Sequence, residues 1–184
     1  PANCAAMLAA LHSLLVRMLE WPAPVLVAVK GQCLGGGLEL ALAGSRIFAA
    51  ADAQFGQPEI KLAVFAPAAS CLLPFRVNQQ CAEDLLFSGR SLGAEEALRA
   101  GLAASVDEDP VAAAIGYYDK HLGARSAAAL GYAVRAARVG CTAEVKRRIA
   151  EVEKLYLEGL MKTRDANEGL AAFLEKREPR FEHR

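Results

Sequence analysis

Val25-Leu26-Val27-Ala28-Val29-Lys30-Gly31-Gln32-Cys33-Leu34-Gly35-Gly36-Gly37-Leu38-Glu39-Leu40-Ala41 is the stretch whose reading decides the fold. It begins as a short unbroken apolar run between Pro24 and Gly31, the pattern of a strand buried on both faces. Residues 31–37 then read as a glycine-rich turn. From Gly36 to about Ala43 the pattern becomes helical, and Gly44 supplies a stop. Strand, glycine turn and helix make a βα unit, which places the chain in the α/β class.

Consecutive glycines lose much backbone entropy on folding, so Gly35-Gly36-Gly37 needs a reason. One reason is a tight strand-to-helix turn. The other is a ligand held against the backbone. A helix N-terminus exposes unpaired N–H groups and a partial positive charge, which suit the oxyanion or enolate formed when a thioester is attacked or deprotonated. Other glycine loops do not fit. No Lys follows, as a phosphate loop requires, the G-x-x-x-G-G-G spacing is not the dinucleotide fingerprint, and G-x-S-x-G is absent.

Two carboxylates attach to this turn. Glu39 follows Gly36 by three residues and falls on the same side of the first helical turn. Its neighbours Leu38, Leu40, Ala41 and Leu42 are apolar, so it is expected to be partly buried with a raised pKa. The helix dipole alone would also favour an acid there. Glu59 lies in Phe55-Gly56-Gln57-Pro58-Glu59-Ile60 and, taken alone, reads as a loop acid in water. Two such carboxylates facing one small volume would hold a water, one taking its proton while the other protonates carbon.

Outward from this centre, a helix is expected from an Asn3 cap to about Glu20, with apolar residues at 7, 8, 11, 14, 15, 18 and 19. Strands are expected at 46–50 and 53–56. After Pro67 the chain reads as almost wholly helical, with helices near 67–75, 79–87, 94–100, 110–123, 126–138, 143–161 and from Arg164 to before Pro179. Leu155, Leu160, Met161, Leu170, Phe173 and Leu174 give the last of these much apolar surface.

With 184 residues, 54% of them hydrophobic, the chain can build a sizeable core. A formal net charge of zero argues against a nucleic-acid partner, which needs a surplus of Lys and Arg. The longest apolar run, from Cys4 to Leu19, is broken by His12 and Arg17, so no membrane span is expected. Five scattered Cys without a C-x-x-C pair read as inert thiols in a reducing cytoplasm, and three isolated His suggest no metal site.

Residues 28–41 resemble the signature of the crotonase (enoyl-CoA hydratase) superfamily, and residues 54–60 resemble its second motif. Phe87-Ser88-Gly89-Arg90, residues 94–102, Glu168-Gly169 and residues 172–177 look like its later motifs, in the family's order over nearly the whole chain. The resemblance implies a spiral of ββα units carrying the active site over residues 1–108. A helical C-terminal region that forms trimers or hexamers would follow over 109–184. It implies Gly36 as one oxyanion N–H and Glu39 and Glu59 as the catalytic pair, with Glu59 delivering a proton to carbon and Glu39 activating water. Leu34, Gly35, Pro58, Leu62 and Phe65 would border the substrate, and Lys176 would reach the CoA phosphates. The reactants would be an acyl-CoA and water, with coenzyme A present only as part of the substrate, no other cofactor, and the cytoplasm as the setting. The family's N-terminal strands, which carry the second oxyanion N–H and part of the CoA site, are absent from this sequence.

The sequence departs from most hydratases after the second motif. Leu62-Ala63-Val64-Phe65-Ala66-Pro67-Ala68-Ala69-Ser70 stands where they have glycines, and in this stretch it looks most like the branch that hydrates cyclohexa-1,5-diene-1-carbonyl-CoA. A general enoyl-CoA hydratase, an enoyl-CoA isomerase, or a catalytically silent CoA-binding scaffold are the alternatives. The last is disfavoured because Gly36, Glu39 and Glu59 are all present.

Overall fold

The computed structural model describes residues 2–183. Pro1, Arg184 and the side chains of residues 2–4 lie outside the described residues, and with them the expected Asn3 cap and the Cys4 thiol. Helix α1 spans Ala2–Glu20 and buries Leu8, His12, Leu15 and Leu19, a stripe at helical spacing that faces the interior. Pro22 and Pro24 follow, and the chain enters β1, Leu26–Val29.

The expected glycine turn is in fact two features. Gly31 makes a left-handed turn (φ +62°), and Gln32–Leu34 forms a second strand, β2, before α2 begins at Gly36–Ala43. Three residues are too few for an alternating pattern to show, which is why sequence periodicity missed β2. The next turn repeats the order, with β3 at Arg46–Ala50 and β4 at Gln54–Gly56. β1 pairs in parallel with β3, and β2 in parallel with β4. Each turn therefore gives one strand to each of two sheets, and the chain advances as a spiral. β5 (Ser91–Gly93) adds antiparallel to β4, and β6 (Ser105–Asp107) adds in parallel to β3. Both lie in a region that reads as helical from sequence, and both are again only three residues long.

Helices α3 (Pro67–Leu72), α4 (Gln79–Ser88) and α5 (Ala94–Arg99) follow expectation. So does α6 (Pro110–Tyr117), whose Asp109 cap accepts the Val111 and Ala112 N–H groups. The two helices expected over 126–161 are one, α7, running through Ala127–Lys154 from a Ser126 cap and continuing as a wide turn over Leu155–Gly159. Gly140 lowers helix propensity by about 1 kcal/mol, and packing of the flanking turns overrides it. The last helix, α8, spans Arg164–Glu175 behind a Thr163 cap.

The main core gathers Leu15, Leu38, Leu42, Phe55, Leu72, Leu85 and Leu92, and α7 adds Val145 and Ile149. Each such side chain contributes about 1.5–3 kcal/mol on burial. The helices after residue 108 thus pack on the spiral itself, α6 against β1 and β3 and α7 against α1 and α3. Arg138 on α7 donates to the Met18, Leu19 and Ala43 carbonyls, so one cation closes the C-terminal ends of α1 and α2. A second apolar cluster joins Leu8, Val64, Tyr156 and Ala166. Here α8 lies directly on the backbone after β4, because a Cβ on Gly169 would come within 2.0 Å of the Leu62 carbonyl oxygen.

Candidate active site

β2 and β4 are parallel neighbours that end together, with Leu34 opposite Gly56. Ligand sites in parallel sheets form at the C-terminal ends of strands, where the connecting turns leave the sheet. Both turns here leave at one edge, tied by a hydrogen bond from the Gly35 N–H to the Gly56 carbonyl at 3.0 Å.

After β2 the backbone passes through Gly35 at φ +55°, ψ −128°, a conformation essentially reserved for glycine, and enters α2 directly. No side-chain hydrogen bond caps this helix, whose first N–H groups, those of Gly36 and Gly37 among them, have no partner within the helix. The space beside Gly37 is open, with nothing within 4 Å of where a Cβ would stand. The Glu39 N–H closes the first turn onto the Gly35 carbonyl at 3.0 Å. The Glu39 side chain points inward and is 4% exposed, and its Oε1 accepts the Ala69 N–H at 2.9 Å. Burial raises its pKa, opposed in part by the Ala69 N–H and by the charge of His12.

After β4, Gln57 is buried and Pro58–Leu62 forms a 3-10 turn rather than the loop expected from sequence. Pro58 occupies its first position, where a missing N–H is harmless. Glu59 sits next, half-buried, with its Oε1 in the space that a Gly35 side chain would fill. The Gln57 amide, turned so that its NH2 group faces this carboxylate, donates to Oε1 at 3.2 Å and to Oε2 at 3.0 Å. Burial raises the Glu59 pKa, and the Glu39 charge raises it further. Glu59 thus feels Glu39 as a like charge that favours its own protonated form.

The Glu59 turn leads directly into the second apolar cluster. Phe65 meets Tyr156 edge-on, with centroids 5.3 Å apart and planes at 78°, and Leu62 packs beside them. Leu62 and Phe65, which the sequence singles out as bordering the substrate, meet here in one apolar cluster with Leu8 and Tyr156, which it does not single out, and neither does it single out Gln57. Gln57 had one local signal, its place between Gly56 and Pro58 in a motif already singled out. Leu34 is half-buried at the end of β2. Lys176 is not brought to the carboxylates. It lies exposed at the left-handed C-terminus of α8 (φ +54°), about two turns beyond the Gly169 contact. A cavity of about 590 Å³ lies at the opposite end of α2 against Leu42, Arg76 and Arg138 and is lined by neither carboxylate.

Among the described residues, no three His, Cys, Asp or Glu side chains cluster so as to hold a metal ion. No described helix is long and apolar enough to cross a membrane. Burial pushes the Cys33 thiol up to about 11 and the Cys71 thiol up to about 12, so both remain protonated near neutral pH.

Residues 2–184 match the family described as enoyl-CoA hydratase/isomerase. Cyclohexa-1,5-dienecarbonyl-CoA hydratase of Thauera aromatica is 58% identical over 184 residues, which span all of this chain and 71% of that protein. A probable enoyl-CoA hydratase of Mycobacterium leprae is 37% identical over 169 residues, 88% of this chain and 63% of that protein. Among solved structures, an enoyl-CoA hydratase/isomerase from Pseudoalteromonas atlantica superposes with a TM-score of 0.82 at 32% identity, covering 91% of this chain and 68% of that one.

Proposed function

The chain belongs to the enoyl-CoA hydratase/isomerase family, and we propose that it adds water to, or removes it from, an unsaturated coenzyme A thioester, with cyclohexa-1,5-diene-1-carbonyl-CoA as substrate. The observation that carries this reading is the meeting of the buried Glu39 and the half-buried Glu59, which feels the Glu39 charge, with the uncapped start of α2 at the shared end of β2 and β4.

The chemistry follows from that arrangement. The thioester oxygen lies against the Gly36 N–H, which strengthens its hold as negative charge develops there on the way to the enolate. Water sits between the carboxylates. Glu39, ionised, accepts a proton from it while the oxygen bonds to the electron-poor carbon. Glu59, protonated, gives its proton to carbon as the enolate collapses. Glu39 is left protonated and Glu59 ionised, and one proton exchanged between them restores the starting state. Coenzyme A enters only as part of the substrate, and no step calls for a metal or redox group.

The substrate assignment is supported by the identity with the Thauera aromatica enzyme and by the Phe65–Tyr156 wall, whose flat apolar faces suit an alicyclic ring. The proposal extends to a trimer or hexamer in the cytoplasm. Phe173 and Leu174, 63% and 80% exposed on α8, are suited to a subunit contact, and Lys176 beside them to the CoA phosphates of a neighbouring subunit.

The test is turnover of cyclohexa-1,5-diene-1-carbonyl-CoA against crotonyl-CoA by the wild type, Glu39→Gln and Glu59→Gln. Preference for the cyclic diene, with kcat reduced on the order of 10²–10⁴-fold in both variants, is the expected result. Preference for crotonyl-CoA would remove the ring and keep the mechanism. No hydration of either by the wild type would overturn the reading.

A further inference from the structure

His12 is a buried titratable side chain that the reaction above does not use. It lies on the inner stripe of α1, 4% exposed, between Leu8 of the second apolar cluster and Leu15 of the main core. Its Nδ1 is hydrogen-bonded to Glu153 on α7. Its Nε2 is buried and has no partner among the described residues. A histidine kept only to join two helices would have both nitrogens satisfied, because an unpaired buried polar atom costs about 1–3 kcal/mol. α1 also packs on α2, where Leu11, the residue before His12, touches the space beside Gly36.

The groups facing Glu39 come from several elements. α3 offers the Ala68 and Ala69 N–H groups and the Cys71 thiol, the 3-10 turn offers Glu59, and α1 offers His12. Arg148, Glu144 and Glu151 on α7 act on Cys71, and Glu153 on the same helix holds His12. Among the described residues that act on Glu39, His12 is the only one with a cationic form. Among the described residues no such cation acts on Glu59, which feels Glu39 as a repelling charge.

We infer that His12, held in place by Glu153, is a buried counter-charge that keeps Glu39 the ionised, water-activating member of the couple and thereby leaves Glu59 as the proton donor. His12 touches no reacting atom and acts through Glu39, so it is a positioning residue. This inference rests on the hydratase reading for its kinetic arm, and a titration arm stands without it.

His12→Gln and Glu153→Gln are measured beside the wild type. Removing the counter-charge raises the Glu39 pKa, so the ratio of variant to wild-type kcat/KM falls as pH is lowered from 8 to 6 and recovers at high pH. Each unit of rise gives about a tenfold fall in that ratio on the acid side. Glu153→Gln keeps a neutral hydrogen-bond partner for His12 and serves as the control for loss of the His12–Glu153 contact. Carboxyl carbon NMR titration of Glu39, which needs no turnover, moves to higher pH in His12→Gln. A rate reduced by one constant factor at all pH values, with Glu39 titrating as in the wild type, would mean that His12 serves packing alone and would overturn the inference. If the wild type hydrates nothing, the proposed function falls, and the NMR titration still decides the role of His12.

Discussion

Replacing Gly35 with Ala tests the site at its tightest point. Two penalties combine there. The backbone at φ +55°, ψ −128° is strained for any residue with a Cβ, by about 1–3 kcal/mol. The added methyl would also stand 2.7 Å from Glu59 Oε1, so the carboxylate has to retreat by about 0.7 Å to reach the 3.4 Å at which ordinary contact begins. A misplacement near 1 Å in a reacting group costs on the order of 10²-fold in rate. Gly35→Ala is therefore expected to lose about 1–3 kcal/mol of stability and to lower kcat on the order of 10–100-fold. Guanidinium unfolding gives the first quantity, and loss of the enoyl thioester absorbance at saturating substrate gives the second. Gly37→Ala is the control, since its added methyl meets nothing within 4 Å and its φ is ordinary for a helix. It should be neutral or slightly stabilising. A Gly35→Ala protein that is destabilised as calculated yet keeps wild-type kcat would refute the claim that Gly35 sets the working position of Glu59. An undiminished stability would refute the strain argument itself.

Three further outcomes follow. Glu39 has its pKa raised above the ordinary 4.5 by burial, so the native state binds more protons than the unfolded chain between the two values, and its contribution to stability is present at low pH and lost as pH rises through the native value. Glu39→Gln, which does not titrate, should gain in melting temperature over the wild type as pH goes from 4 to 8, and a constant difference across that range would contradict the burial argument. Gly169→Ala would drive a methyl to 2.0 Å from the Leu62 carbonyl, a backbone atom that cannot swing aside, so α8 should lift from the 3-10 turn at a loss of about 1–3 kcal/mol, read from the urea midpoint. Alkylation of the native protein at pH 8 should modify Cys81 and Cys141, both half-buried, before the fully buried Cys33 and Cys71, as peptide mass spectrometry would reveal.

The reach of the sequence divides along contact distance. Gly35, Gly36 and Glu39 fall within one helical turn, and Pro58 and Glu59 are adjacent, so each half of the site is a local pattern with its own chemistry. The raised pKa of Glu39 was legible too, because its flanking leucines require burial whatever the rest of the fold does. The 28 residues of α7 were not, because the propensity of Gly140 points the other way and only packing against α1 and α3 decides the matter. β2, β5 and β6 escaped for a different reason. They are three residues long and exist through their register with β3 and β4. The pairing of His12 with Glu153, 141 residues apart, has no local signature at all.

How the halves come together is also written in the spacing, although only the topology makes it readable. Register partners lie 20 residues apart in one sheet, Leu26 with Arg46, and 22 apart in the other, Gln32 with Gln54. That separation is one turn of the spiral. Glu39 and Glu59 are themselves 20 residues apart in the sequence, five residues past Leu34 and three past its partner Gly56, so both acids lie just beyond the ends of neighbouring strands in successive turns. Parallel strands sit about 4.8 Å from each other, and what leaves their C-terminal ends is held at similar spacing. The couple between the two carboxylates is thus a consequence of the repeat. The repeat does not make them alike, however. One follows a glycine into a helix and is buried at 4% exposure, and the other follows a proline into a 3-10 turn and keeps more solvent. Two acids brought together by symmetry and separated by environment are what a reaction needs when it must take a proton from water and give one to carbon.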